Sequence, residues 1–478
     1  MSEDIKHKTK IGMYWTFLNQ GSTQVMQFVV GIVMARMLTP EDFGITALPA
    51  VFMAIATVFL DSGFGQALTR KETITEKDLS TSFYYSLGMG FFMYCILFFL
   101  SPWIADFYDT PVLTSLIRVT ALNFLWGPLA TPQYVILQRK LDFKTPAKIS
   151  ILNKLVGGFA GILAAYMGLG LWSLVISGLI SSLLGIFQYW LAVKWVPREK
   201  FDRSSFSYLW NYGNKLLGAN LLDVMYNNIA PIVIGKFYTP QALGLYNRAE
   251  GYAKLPANQI IGIIQGVSFP VLSKLQSDKE LLSRSYRKMI KLSAFIAFPV
   301  FCLLCALAHP LVVVMITEKW ESCVIYLQII CFAKMWWPVM SLNRSALQVQ
   351  GRSDLYLKME MMKRFTNFVL MCIALNFGLL VFCCYQILET IVAMCFNTYY
   401  TGKLLDVGLL RQTRDVLPSY LLSLFMLGLV FLVNSYVENP YMQICVGGSV
   451  GMLFYIVGAY LFKFNEIEDV KYMLSRKK

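Results

Sequence analysis

The chain has 478 residues, 56% of them hydrophobic and 15% charged, with a formal net charge of +14. Soluble domains average about 45–50% apolar and about 25% charged residues, so a soluble protein, a disordered chain, a collagen, a coiled coil and a disulfide scaffold are all excluded. The basic excess points either to a polyanion or to cytoplasmic loops rich in Lys and Arg, and the loops decide between them.

A membrane helix needs about 20 mostly apolar residues. That length gives fourteen segments, at 12–37, 43–66, 82–103, 113–135, 149–167, 170–193, 207–235, 247–271, 289–308, 322–345, 357–377, 379–400, 417–435 and 441–462. They are continuous runs rather than alternating ten-mers, which argues for helices over a barrel. The first lacks a small-residue cleavage site and is expected to stay as a span. The segments 12–37, 207–235 and 247–271 are polar for spans, as helix packing or a wet cavity permits.

Loop charge orients these segments. Lys6, Lys8 and Lys10 open the chain. Every second loop is then basic, starting near Arg70, Arg139, Lys194, Lys274, Arg352 and Lys403. The tail holds Lys463, Lys471, Arg476, Lys477 and Lys478. The intervening loops carry only Arg36, Lys236, Arg248 and Lys319 at their margins. Both termini are therefore expected in the cytoplasm and the span count is even. The +14 is mostly a topology signal, and no nucleic acid is expected. The ten cysteines fall almost entirely in apolar segments and read as small hydrophobes.

An internal repeat follows. Residues 33–45, VMARMLTPEDFGI, align with 233–245, VIGKFYTPQALGL, with Val, Thr-Pro and Gly coincident and Arg36 facing Lys236. Leu137-Gln138 corresponds to Leu347-Gln348, and Pro102 and Pro310 are each expected to open an outside loop. Two homologous halves of six spans enter the membrane in the same sense, with a substrate path between them. The expected divisions are a six-helix lobe over 1–204, a second over 205–400, and two extra spans with a tail over 401–478. The expected fold is all-α, with fourteen membrane helices and two pseudo-symmetric lobes around a central cavity.

The stretches MARMLTPEDFGITAL (34–48) and LGLYNRAEGYAKLPANQIIGIIQGVSFPVLSKLQSDKE (243–280) resemble the multidrug/oligosaccharidyl-lipid/polysaccharide exporter superfamily. Within it the chain is similar to bacterial polysaccharide flippases of the O-antigen and colanic-acid type, over essentially its whole length. The resemblance implies translocation of undecaprenyl-diphosphate-linked oligosaccharide across the bacterial inner membrane by alternating access. It also implies lipid-linked oligosaccharide and membrane lipids as partners, with a polysaccharide polymerase and other assembly proteins as candidates.

Charges inside spans are costly and mark candidate sites. Gln20, Gln24 and Gln27 share one face of the first span, either as interhelical hydrogen bonders or as a wall for sugar hydroxyls. Asp61, followed by Gly63 and Gly65, is either a proton or cation site or a local cap. Lys215, Asn220, Asp223, Asn227 and Asn228 stripe the seventh span and are expected to line a cavity, with Asp223 a second ion-coupling candidate. In the eighth span, Glu250 and Lys254 have the favourable i, i+4 order, and Arg248 is expected at the outer interface. Arg118 and Lys334 lack acidic neighbours at helical spacing and fit an anion site, since a diphosphate needs cations and Arg offers a fork. The spans hold nine basic residues (Arg118, Lys154, Lys215, Lys254, Lys291, Lys334, Arg344, Lys363, Arg364) against five acids (Asp61, Asp223, Glu250, Glu360, Glu389).

His7 and His309 are the two histidines, and no Walker A, GxSxG, HExxH or metal-spaced cysteine set is present. No enzyme, no metal and no cofactor beyond coupling H+ or Na+ is expected. Three competing readings are weighed. A drug antiporter of the same superfamily prefers an acidic cavity. A twelve-span facilitator lacks the last two spans. A membrane-embedded glycan polymerase or ligase needs a large periplasmic loop, and none is present.

Overall fold

The computed structural model describes residues 3–469, and for residues 3–10, 13 and 353 the backbone alone. The expectations for Lys6, Lys8, Lys10 and His7, and for Lys471, Arg476, Lys477 and Lys478, lie outside the described residues. The described residues form helices and no strand. The long helices are α1 (Glu3–Met37), α2 (Pro40–Arg70), α3 (Glu76–Phe107), α4 (Val112–Arg139), α5 (Lys144–Tyr166), α6 (Trp172–Val193) and α7 (Arg203–Phe237). They continue as α8 (Pro240–Lys274), α9 (Lys279–Ala306), α10 (Cys323–Val349), α11 (Ser353–Ala374), α12 (Leu379–Leu405), α13 (Leu409–Ser435) and α14 (Pro440–Leu461). Among the described residues, eleven are long and apolar enough to cross a membrane; α1, α7 and α11 are helical but too polar for that measure.

The ends follow from local chemistry. Thr39 and Asp42 close a capping box at the start of α2, and Thr75 and Asp78 do the same for α3. Asp202 caps α7: the Ser204 hydroxyl and the Ser205 amide donate to its carboxylate and hold its pKa down to about 2. Asp278 caps α9 through the Leu281 amide. Within α2 the helix stops at Asp61 and restarts at Phe64, with Ser62 (φ 41°) and Gly63 (φ 71°) both left-handed.

The chain divides into two compact units, Met1–Gly244 and Leu245–Lys478. The first unit runs past the expected repeat boundary at 204 because α7 packs on α2 and α3. Its Gly213 lies in the break of α2, where a Cβ would meet the Ser62 carbonyl oxygen at 2.2 Å. Phe206 and Trp210 stack there, beside Phe64 and Tyr85. Elsewhere in this unit, Gly157 and Gly161 of α5 lie against Ser181 and Ser177 of α6, while Gly158 lies against Val30 of α1. Small residues let membrane helices approach where no hydrophobic force acts between them.

In the second unit, α13 lies along α9, and α14 packs on both through Gly447, Gly451 and Gly458. A buried polar knot joins four helices. Tyr286 of α9 donates to the Asn343 side chain of α10 at 2.8 Å, and Gln412 of α13 donates to Asn343 and to Thr401 of α12. The two helices beyond the repeat are thus built into this unit.

Prolines show how the helices stay satisfied. Pro102 sits inside α3 and Pro310 inside the short helix Ala308–Ile316, so neither opens a loop as expected. A proline leaves the carbonyl four residues before it without its helical donor. For Pro102 that carbonyl is Phe98, and Arg118 and Ser101 donate to it. For Pro299 of α9 it is Phe295, and the Tyr455 hydroxyl of α14 donates to it at 3.0 Å. Membrane helices tolerate prolines where a neighbouring helix, a Ser or Thr side chain, water or local adjustment satisfies the freed carbonyl.

Candidate functional site: a charged cluster in the second unit

One face of α8 places Tyr246, Ala249, Ala253, Ala257 and Ile260 in a buried seam. The alanines let α8 approach closely. Tyr246 fixes the register by accepting a 3.0 Å hydrogen bond from Gln386 of α12. Glu250 and Lys254 flank that seam one helical position on.

Glu250 holds two ammonium groups. Its Oε2 lies 3.0 Å from Lys254 Nζ, and its Oε1 lies 3.6 Å from Lys334 Nζ of α10. Lys334 also stands 3.5 Å over the Trp337 ring. Side-chain exposure separates the partners: 6% for Lys334, 15% for Glu250 and 40% for Lys254. Further in, the charge of Glu389 on α12 reaches both Lys334 and Lys363 of α11. Lys363 pairs with Glu360 at 2.5 Å and donates to Asn397 at 3.2 Å, and the charge of Arg344 reaches it. The cluster therefore contains four cations (Lys254, Lys334, Lys363, Arg344) and three carboxylates (Glu250, Glu360, Glu389). Its formal surplus is positive, and Lys254 is the most exposed of its ion-paired members.

Arg248 lies two residues before Glu250, with its guanidinium 5.2 Å from the Trp320 ring and 5.8 Å from Tyr252. Trp320 belongs to the turn before α10, and Arg248 lies in the N-terminal part of α8.

The first unit distributes its expected residues differently. Arg118 has partners, contrary to the expectation from helical spacing: its Nε donates to the Phe98 carbonyl and the Ser101 hydroxyl, and its guanidinium lies 4.2 Å from the Phe98 ring. The physical reason is Pro102, whose missing N–H creates the acceptor. Asp61 accepts from the Gly65 amide across the break in α2. It lines a cavity of about 440 Å³ with Gln66, Thr69, Thr131, Tyr134 and Gln138. On α1, Gln20 and Gln27 are exposed and Gln24 is half-buried. On α7, Lys215, Asp223 and Asn227 are exposed and Asn220 is half-buried, and Asn227 donates to Asp223 at 3.2 Å. No group of three metal-binding side chains occurs among the described residues, and the ten cysteines are free thiols.

The second unit also holds a cavity of about 810 Å³ at the start of α9. Its cations carry their own partners: Lys279 with Asp406, Lys288 with Asp469, and Arg287 with Asp415, all within 2.7 Å.

The turn repeat seen in sequence is a real contact inside the first unit. A Cβ on Gly44 would lie 1.7 Å from the Pro240 carbonyl oxygen, and one on Gly244 would lie 1.9 Å from that of Pro40. The two Thr-Pro-x-x-x-Gly turns cross reciprocally, and only glycine permits the approach.

Comparison with known proteins places this architecture. Residues 33–325 match the family described as polysaccharide biosynthesis protein. The chain belongs to that family. Within it, the teichuronic acid biosynthesis protein TuaB of Bacillus subtilis (strain 168) is 28% identical over 347 residues, covering 72% of each chain. The lipopolysaccharide biosynthesis protein WzxC of Escherichia coli (strain K12) is 24% identical, covering 76% of this chain and 74% of its own. Among solved structures, the lipid II flippase MurJ in an inward closed conformation superposes with a TM-score of 0.75 at 15% identity, covering 95% of this chain and all of that one. That likeness establishes a shared fold: this member of the family is an all-helical, multi-pass membrane protein.

Sequence reasoning named Lys254 and Lys334 as site residues and missed the carboxylates between them. Glu250, Glu360 and Glu389 were visible as in-span acids, but the pairing of Glu250 with Lys334 joins helices far apart in sequence. Lys363, another in-span cation, carried no mark of its place beside Glu389.

Proposed function

We propose that the chain flips undecaprenyl-diphosphate-linked oligosaccharide from the cytoplasmic to the periplasmic leaflet of the bacterial inner membrane, for surface polysaccharide biosynthesis. One observation supports this most: the second unit keeps a formal cationic surplus among apolar helices, with Lys254 its half-exposed member. Such a surplus suits the diphosphate of a lipid carrier and disfavours a cationic drug. Membership of the polysaccharide biosynthesis family and the names of TuaB and WzxC agree with it.

In this reading, Lys254, Lys334 and Arg248 attract the headgroup phosphates. The exposed amides Gln20, Gln27 and Asn227, with Gln24, Asn220 and Lys215, meet the glycan. The lipid tail stays in the bilayer and the protein alternates access. Arg118 enters only through its remaining N–H groups, because the Phe98 carbonyl and the Ser101 hydroxyl hold its Nε. Any H+ or Na+ coupling is assigned to Asp61 and Asp223, and flipping with and without an imposed ion gradient tests that assignment. The finer layout belongs to the same reading: fourteen spans, six-helix lobes over 1–204 and 205–400 around a cavity, two further helices, and both termini in the cytoplasm. A polysaccharide polymerase is the expected functional neighbour.

The deciding experiment is reconstitution. Lys254→Gln should lower the flipping of diphosphate-linked glycan in vesicles about tenfold, the scale of one charge-assisted hydrogen bond, with insertion unchanged. Flipping at the wild-type rate would overturn the role of the cluster.

A further inference from the structure

Glu250 is the one carboxylate of the cluster shown between two ammonium groups, and its two oxygens serve unequal partners. Oε1 faces Lys334, which is almost wholly enclosed, stands over the Trp337 ring and has Glu250 as its carboxylate partner within 4 Å among the described residues. An ammonium so buried cannot stay charged without a counter-ion, so Lys334 ties Glu250 in place. Oε2 faces Lys254, which is 40% exposed and so is not enclosed with its partner. One half of the bridge is fixed and the other is exchangeable. Lys254 also stands at the exposed edge of the cluster, where a ligand arrives first.

From this asymmetry we infer that Glu250 is a displaceable counter-anion, which holds Lys254 while the site is empty and yields it to the diphosphate of an entering lipid headgroup. The inference rests on the reading that the cluster receives a diphosphate. A diphosphate carries more charge and more acceptor oxygens than one carboxylate oxygen, so it wins Lys254. On departure Glu250 takes the lysine back, which gives the ammonium a partner and eases release. Glu250 thus acts as a positioning residue: it weakens binding and speeds turnover. No proton or covalent bond changes hands.

The test uses the full-length protein in phosphatidylcholine nanodiscs, with undecaprenyl diphosphate as the probe and undecaprenyl monophosphate for comparison. Glu250→Gln keeps shape and removes charge. It should tighten diphosphate binding about two- to fivefold, the range for a partly exposed ion pair, and slow flipping in vesicles. A merely structural role moves both quantities down together and gives no tightening. Where Glu250→Gln is not recovered folded, Glu250→Asp keeps the counter-charge for Lys334 but shortens the reach to Lys254, and should show the same tightening in smaller measure. Lys254→Gln separates the two failures. If it weakens binding while neither Glu250 variant tightens it, the counter-anion role is overturned and the diphosphate reading stands. If it leaves diphosphate binding unchanged, the diphosphate reading falls and the role of Glu250 with it.

Discussion

Arg118 in the first unit and Lys334 in the second were indistinguishable as sequence: each is a cation in an apolar helix without an acidic neighbour at helical spacing. The structure gives them different work. Arg118 supplies the donor that Pro102 withholds from the Phe98 carbonyl. Lys334 faces a carboxylate that also holds the half-exposed Lys254. One in-span cation thus answers the backbone, and the other a carboxylate shared with a half-exposed lysine. A cation answering the backbone is part of the scaffold, as Tyr455 is when it answers the carbonyl freed by Pro299. The contrast can be attacked from both ends.

The largest expected effect lies in the second unit. Glu250→Gln strands the Lys334 ammonium, and breaking a buried ion pair from one side costs about 3–5 kcal/mol. Lys334→Met in the same chain removes the stranded charge and should return most of that stability. Thermal unfolding of the two variants in detergent measures it. Equal melting temperatures for Glu250→Gln with and without Lys334→Met would show that Lys334 does not depend on Glu250.

The first unit gives the next effect. Arg118→Ala removes a charged donor from the Phe98 carbonyl and should cost about 1.5–3 kcal/mol. The decisive control is Pro102→Ala, which restores a helical N–H to the same carbonyl. In that background Arg118→Ala should cost about 1 kcal/mol less, because the acceptor no longer depends on it. The same cost in both backgrounds would mean that Arg118 acts elsewhere, and would favour it as an anion-binding residue.

What was legible in the sequence follows the range of the interactions. The helices were legible because each is set by its own apolar run; of the three too polar to pass as spans, α1 and α7 read as polar in the sequence and α11 does not. The Glu250–Lys254 pair was legible because i, i+4 spacing is local. The Thr-Pro-x-x-x-Gly repeat was legible as a repeat, but not as a contact between Gly44 and Pro240. Lys334 with Glu250 was hidden because their meeting depends on how α8 and α10 pack. The bond from Arg118 to the Phe98 carbonyl was hidden for a related reason: it depends on Pro102 lying inside α3 rather than opening a loop. Asp61 stands between two readings, since it accepts from the Gly65 amide and also lines a cavity.

The smallest effect extends the first unit's pattern to a charge at a helix end. Asp202 opens α7, and the Ser204 hydroxyl and Ser205 amide hold its carboxyl down to about 2 from an ordinary value of 3.8. A depressed pKa in the folded state stabilises above the unfolded value and loses that contribution as pH falls through the folded one. The difference in melting temperature between wild type and Asp202→Ala should therefore be constant above about pH 5, shrink below about pH 4, and approach its residual near pH 2. Partial exposure of the carboxylate keeps it small and sensitive to salt. A difference that stays constant down to pH 2 would show that the cap works through side-chain shape and not through its charge. The capped start of α7 would then stand apart from Arg118, where charge itself completes the helix.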